Sequence, residues 1–247
     1  MISIQPATVQ DADYIAKLFV ENTPKPQQEI TILGCHGFQN FISDNIKKPT
    51  AEKNRFFWLA KHHDEPCGAI EWRKYEGAKF LNNIHVSKQH QGSGVGKKLF
   101  QKTLTTPCLG SSSIVQLDVF AENQTALAWY SSMGFSITRR VYFFSIPLYS
   151  SVNTKADKIQ TSKHADLQQS KYGFGMIKTI GSKTYEVGML GRNWFRCTDA
   201  AILEEPSAKN ALQKFDSHRK LLLVTDLKAE IESYLPIATS IRMTNSY

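Results

Sequence analysis

The sequence contains no run of apolar residues long enough to span a bilayer, and its opening, MISIQPATVQDADYIAKLF, shows no basic region followed by an apolar stretch. A cytoplasmic protein without a membrane partner is therefore expected. Cysteine is scarce: Cys35, Cys67, Cys108 and Cys197 lie far apart and form no C-x-x-C pair. That spacing argues against a zinc site and a disulfide framework, and for buried free thiols. His62 and His63 beside Asp64 are neighbours in a turn, where adjacent rings converge poorly on one ion, so no metal is expected. RNA-recognition, helix-turn-helix and zinc-finger signatures are absent, and the lysines and arginines are scattered, so nucleic acid is not the expected partner. Absent too are G-x-x-x-x-G-K-S/T and G-x-G-x-x-G with a following acidic residue, which removes the nucleoside-triphosphate loop and the dinucleotide fold.

What remains is the balance of a foldable globular chain: 41% hydrophobic and 21% charged residues over 247 positions, enough for two unequal units. The net charge of +8 favours anionic partners without naming one.

Strand and helix patterns alternate over the first 149 residues. Ile2 to Ile4 read as a short strand, and Ile15, Leu18 and Phe19 fall on one face of a helix capped by Asp11. TPKPQQEI breaks the pattern, and GCHGFQNFISDNI reads as a second short helix. RFFWLAKHHDEPCGAIEWRKY reads as a hairpin turning at HDEP, followed by the strand FLNNIHV. After a glycine-rich turn come the helix KKLFQKTL, the strand SIVQLDVF, a helix ending at Gly134 and the long strand SITRRVYFFSIPL. This is a mixed α/β unit. Residues 150–170, rich in Ser, Lys, Gln and Thr, read as a linker. Residues 171–247 regain structure: strands at YGFGMIKTI, TYEVGML and NWFRCTD, a helix at PSAKNALQKF, a strand at KLLLVTDL, a helix at KAEIESYL and a strand at ATSIRMTN. Fewer than 80 residues make a marginal core, so this smaller C-terminal α/β unit is expected to pack on the first.

The strongest local signal is FLNNIHVSKQHQGSGVGKKLF, where a strand enters QGSGVG and a helix leaves it. Gly92, Gly94 and Gly96 let the backbone turn and aim successive N–H groups into one concavity, which suits an anion. The helix start adds free N–H groups and its positive dipole end, with Lys97 and Lys98 beside it. The plain alternative for such a cluster is a flexible loop.

QGSGVG after FLNNIHV resembles the Q/R-x-x-G-x-G/A pyrophosphate loop of the GCN5-related N-acetyltransferases (GNAT). IQPATVQDADYIAKLF is similar to that family's first strand and helix, and NQTALAWYSSMGF to its N-x-x-A-x-x-x-Y-x-x-x-G-F segment. The resemblance, over residues 1–149, implies a splayed central mixed sheet flanked by helices and an enzyme that carries acetyl from acetyl-coenzyme A to a primary amine of a small molecule or protein. It implies that Ile84, His85 and Val86 pair through their backbone with the cofactor's pantetheine arm, and that the amides of Gln91, Gly92, Ser93, Gly94, Val95 and Gly96 hold its pyrophosphate. Lys97 either adds a phosphate contact or is solvated. Asn123 either bonds the cofactor arm or caps its helix, and both roles can coexist. Tyr130 matches the family's acid for the departing sulfur; the alternative is a core tyrosine with a satisfied hydroxyl. A backbone N–H near Val86 would polarise the thioester oxygen.

The general base departs from the family pattern, because Asn82 stands where relatives often carry glutamate, and an amide accepts no proton at neutral pH. Glu71 is the first candidate, against the reading of a surface salt bridge; Glu76, His85 and an ordered water are the others. Ser87 and Lys88 stand where a proline is frequent, a change that leaves the loop amides in place. Residues 171–247 resemble the latter half of the same architecture without its glycine loop, since Glu204, Glu205 and Pro206 stand in its place and two carboxylates repel a pyrophosphate. A degenerate second half and an unrelated small α/β domain both fit. The missing family base also leaves open a coenzyme A-binding regulatory module without catalysis.

Overall fold

A computed structural model describes residues 1–75, 77–149, 155–227, 231 and 234–247. The expected helix at KAEIESYL falls largely outside them, as does Glu76. By their contacts the residues form two units, one of Met1–Pro24, Phe38–Thr138 and Arg242–Tyr247, the other of Lys25–Gly37 and Arg139–Ile241.

Unit 1 opens with β1 (Ile2–Pro6) and α1 (Ala12–Glu21), and α1 buries Ile15, Leu18 and Phe19 as its periodicity predicts. After α3 (Phe38–Lys47) come β2 (Arg55–His62), β3 (Glu65–Tyr75) and β4 (Ala78–Val86). The β2–β3 hairpin turns on two residues, His63 and Asp64, with φ of 49° and 67°. Positive φ at both central positions matches the twist of the flanking strands, although neither residue is glycine. α4 (Val95–Leu104), β5 (Ile114–Phe120) and α5 (Gln124–Ser132) complete the unit's helices and strands before β6 (Ser136–Ile146). The strand order is β1-β2-β3-β4-β5, and beyond β5 stands the Arg242 end of the chain's last strand, β12 (Pro236–Ser246). Among β1 to β5, neighbours are antiparallel except β4 and β5, which run parallel. α4 is tied to β3 by the buried bond from Trp72 Nε1 to Thr103 Oγ1, 2.7 Å.

Unit 2 repeats this plan. β7 (Lys158–Gln160), β8 (Phe174–Ile180), β9 (Thr184–Leu190), β10 (Trp194–Cys197) and β11 (Lys220–Thr225) lie in that order, with α6 (Lys163–Tyr172) between β7 and β8 and α7 (Pro206–Phe215) between β10 and β11. Again only the last pair, β10 and β11, is parallel. β6 then stands beside β11, from Leu221 opposite Ile146 to Thr225 opposite Tyr142. Its core gathers Phe144, Ile177, Val187, Phe195, Leu212 and Leu221. The stretch read as a linker over 150–170 contains β7 and most of α6. Ser162 caps that helix by accepting from the Ala165 N–H, 3.1 Å, so a polar composition concealed a capped helix.

The last strands cross over. Sequence reading divided the chain into 1–149 and 171–247, whereas Arg139–Ile146 of β6 joins unit 2 and Arg242–Tyr247 joins unit 1. Lys25–Gly37, with α2 (Lys25–Glu29), also belongs to unit 2, where the Gly37 N–H donates to Tyr172 O at 3.2 Å. A Cβ on Gly37 would lie 2.1 Å from Lys171 O, so glycine is required there.

Candidate active site

β4 has two different edges. Toward β3 it is paired from Ala78 to Val86; toward β5 pairing covers only Lys79 to Leu81, opposite Val115 to Leu117. Beyond Leu81 the parallel neighbour leaves, and Asn82 to Val86 are half-buried. This is the splay, and it leaves a strand edge whose backbone groups can take an added strand-like partner. Ile84, His85 and Val86 all lie on it.

The loop after β4 is built to leave amides free. Gly92 and Gly94 have φ of 77° and 82°, and a side chain at either would meet open space, so backbone conformation alone demands glycine. Gly94 precedes the first turn of α4, and the Lys98 N–H returns to its carbonyl at 3.0 Å. Among the described residues, the amides of Gly92, Gly94, Val95, Gly96 and Lys97 donate to no other group. Val95, Gly96 and Lys97 are the first-turn donors that every helix leaves unpaired. The loop is held from behind: Gln91 Nε2 donates to Val86 O (3.1 Å), and the Ser93 hydroxyl donates to His90 O (2.6 Å). His90 Nδ1 meets Ser87 Oγ at 2.9 Å, while its Nε2 meets His62 Nδ1 at 3.4 Å. Gly96 lies within the helix with ordinary φ, and a Cβ there would touch Trp129 and Val86 at 3.7 Å. Loop, β4 and α5 therefore converge. Lys97 and Lys98 are exposed.

Asn123 caps α5, its Oδ1 accepting from the Ala126 N–H at 3.1 Å. Tyr130 follows on that helix, 7% exposed, with Trp129 and Phe135 rings at 5.0 and 5.7 Å. Burial pushes its phenol pKa well up, so the group is a donor and not a base.

Glu71 lies one strand away and is 1% exposed. Arg55 Nη1 donates to its Oε1, and the side chains of Asn82 and Asn83 both donate to its Oε2, at 2.8 and 2.6 Å. Three donors on a carboxylate closed to solvent leave an incoming amine no access, which counts against the base role expected for it. The surface salt bridge weighed against that role is not found either, because the pair is buried. His85 packs beside Phe19 at 5.1 Å, and burial lowers its pKa to about 4, so it is a neutral and weak base. Among the described residues no group of three or more His, Cys, Asp or Glu is placed to hold a metal, and no helix is long and apolar enough to cross a membrane.

Two residues that sequence reading passed over stand close by. Arg55 is Glu71's partner and stacks over Phe41 at 5.1 Å. Arg73, opposite both Arg55 and Phe80 in the sheet, lies 5.1 Å from the Phe80 ring and 5.4 Å from Tyr75. Burial and the Arg55 charge lower its pKa against the opposing pull of Glu71, and among the described residues no carboxylate lies within ion-pair distance of it. Asp118, the nearby acid, is bound by Arg242, with Nη2 to Oδ2 at 2.8 Å. A one-residue register shift between Ala60 and Lys61 is what brings Arg55 opposite Arg73, and the strand pattern carries no sign of it.

The family profile described as the acetyltransferase (GNAT) domain matches residues 53–137. The L-methionine sulfoximine/L-methionine sulfone acetyltransferase of Salmonella typhimurium is 20% identical over 97 residues, 38% of this chain and 57% of that protein. The L-amino acid N-acyltransferase MnaT of Escherichia coli is 25% identical over 73 residues, 29% of this chain and 42% of that protein. The chain thus spans about half the length of these two relatives. A tandem GNAT protein from the clavulanic acid biosynthesis pathway, solved without acetyl-coenzyme A, superposes with a TM-score of 0.69 at 9% identity, covering 100% of this chain and 98% of that one. With the splayed strand, the glycine loop and the repeated strand plan, these likenesses converge: residues 53–137 match the GNAT acetyltransferase domain, within a chain whose fold over its full length is like that of a tandem GNAT protein.

Proposed function

We propose that this protein transfers an acetyl group from acetyl-coenzyme A to an amine by direct attack, with unit 1 as the catalytic unit. The observation that carries the reading is the open edge Asn82 to Val86 running into a loop with five undonated amides. The fit is chemical: strand-like amides and carbonyls suit the pantetheine arm, and the loop amides with the α4 dipole suit a pyrophosphate. Ile84, His85 and Val86 contribute backbone to the arm, and within the Gln91 to Gly96 loop the free amides of Gly92, Gly94, Val95 and Gly96 cradle the phosphates, with Lys97 adding charge; the Gln91 and Ser93 amides, expected to join them, are already given to Lys88 O and His90 O. Asn123 holds the start of α5, which carries Tyr130. A backbone N–H near Val86 polarises the thioester oxygen as the amine nitrogen attacks the carbonyl carbon. The C–S bond then breaks, and the phenol of Tyr130, kept protonated by burial, supplies the proton to the departing sulfur. The amine's proton leaves through ordered water, since Glu71 is fully engaged and Asn82 accepts none.

The test is titration of the full chain with coenzyme A, then thiol release from acetyl-coenzyme A over an amine panel. Tyr130→Phe is expected to lower kcat by about a hundredfold with cofactor affinity unchanged, as loss of a general acid does. Full activity in that variant removes the acid role; saturable binding with thiol release only at the spontaneous rate supports a binding module instead.

The acceptor carries a carboxylate as well as its amine in this reading. Arg73 is a half-buried cation with no acidic partner among the described residues, and the two relatives act on molecules named as amino acids or their derivatives. Arg73→Leu is expected to lower kcat/KM for L-amino acids by about tenfold or more, the worth of a charge-assisted bond, and to leave the matching amino-acid amides unaffected. Equal losses on both acceptors remove this role.

A further inference from the structure

The β3–β4 register slips by one residue beside the carboxylate: Glu71 stands opposite Asn83, and Trp72 opposite Leu81. Asn82 is the extra residue, a β-bulge on β4. Leu81, just before it, is the last β4 residue paired with β5. A bulge bends its strand and increases the local twist, so the bulge and the start of the splay are one event in the chain.

Bulges are local irregularities that a strand can lose by slipping register, and this one is held by side chains. Asn82 and Asn83 both donate to Glu71 Oε2, which collects the bulged residue and its neighbour on a single oxygen. The other oxygen is held by Arg55, whose guanidinium rests on Phe41 from α3. A register slip would take one amide off the carboxylate and leave a buried charge under-bonded, which is costly.

We propose that Glu71 is a positioning residue: its buried carboxylate, anchored by Arg55, clamps Asn82 and Asn83 and so fixes the bulge that turns β4 away from β5 and keeps the cofactor edge open. This rests on the reading of that edge as the coenzyme A site. The clamp also gives Asn82 a purpose, because a carboxylate at that position would face Glu71 across a hydrogen-bond distance.

The experiment compares the full-length wild type with Glu71→Gln and with the Asn82→Ala/Asn83→Ala pair, by isothermal titration with coenzyme A, thermal melting and steady-state kinetics. Glutamine keeps the shape but offers one acceptor oxygen to three donors; the asparagine pair leaves the Arg55 ion pair intact and decides the matter where Glu71→Gln does not melt cooperatively. Each variant is expected to bind coenzyme A about tenfold more weakly, the effect of one or two lost hydrogen bonds, with every ionisation of the wild-type pH profile still present. Thr103→Val, which removes the buried bond to Trp72, is the control for general destabilisation and is expected to lower the melting temperature without weakening binding. Unchanged affinity in the folded variants overturns the clamp. So does an equal loss of affinity in Thr103→Val, or a fall in kcat at constant affinity with one ionisation missing from the pH profile, which assigns Glu71 the base role. A wild-type chain that does not bind coenzyme A is a separate result, sinking the cofactor reading and this inference with it.

Discussion

His85 sits on the open edge with a neutral ring. Its pKa in the folded protein is near 4, against an ordinary value of about 6.5 in the unfolded chain. The folded state therefore resists protonation, and the unfolded state takes up the proton first on acidification. The stability this residue contributes is fully present above about pH 6.5 and falls as the pH drops toward 4. Urea unfolding across that window is expected to show a decline that His85→Asn flattens. Tyr130 is shifted by the same burial in the other chemical direction: removing water keeps both groups uncharged, one a weak base and the other a persistent donor. Tyr130 and the loop glycines could be named from the sequence because their types and spacing carry the pattern. The engagement of Glu71 could not, since it depends on Arg55, 16 residues earlier, and on two asparagines of another strand.

At the scale of the element, two glycines of one loop separate by backbone alone. Gly94 has φ of 82°, so Gly94→Ala forces a left-handed conformation on an L residue at a cost of about 1 kcal/mol, even though its Cβ meets nothing. Gly96 is helical with room for a methyl at 3.7 Å, so Gly96→Ala is expected to be neutral or stabilising by up to about 1 kcal/mol. Urea midpoints check both, and coenzyme A titration is expected to weaken for Gly94→Ala. This strand, loop and helix were legible because QGSGVG and the period change lie within twenty consecutive residues. α6 was not legible, because a short polar helix has no apolar stripe to read; it buries only Ala165.

Across the whole chain, the strand plan occurs twice and the cofactor features once. β10 is four residues long and every one pairs with β11, so β10 has no segment freed from its parallel neighbour as β4 has. Glu204, Glu205 and Pro206 follow where unit 1 has its glycine loop. Titration of the full chain is expected to give one coenzyme A per chain, lost in variants of the Gln91 to Gly96 loop; a stoichiometry of two overturns this. By contacts the units do not divide at the polar stretch 150–170: Arg139–Ile146 of β6 groups with unit 2 and Arg242–Tyr247 with unit 1. The sequence by itself determined the elements of local period, namely the hairpin, the glycine loop, α4, α5 and the strands that follow residue 171. Only the tertiary structure decided that β6 pairs with β11, that Arg242–Tyr247 belongs with unit 1 and that Glu71 is enclosed. Period and turn chemistry are written in neighbouring residues, whereas pairing partners are set by hydrogen bonds between segments far apart in the chain, which no local pattern encodes.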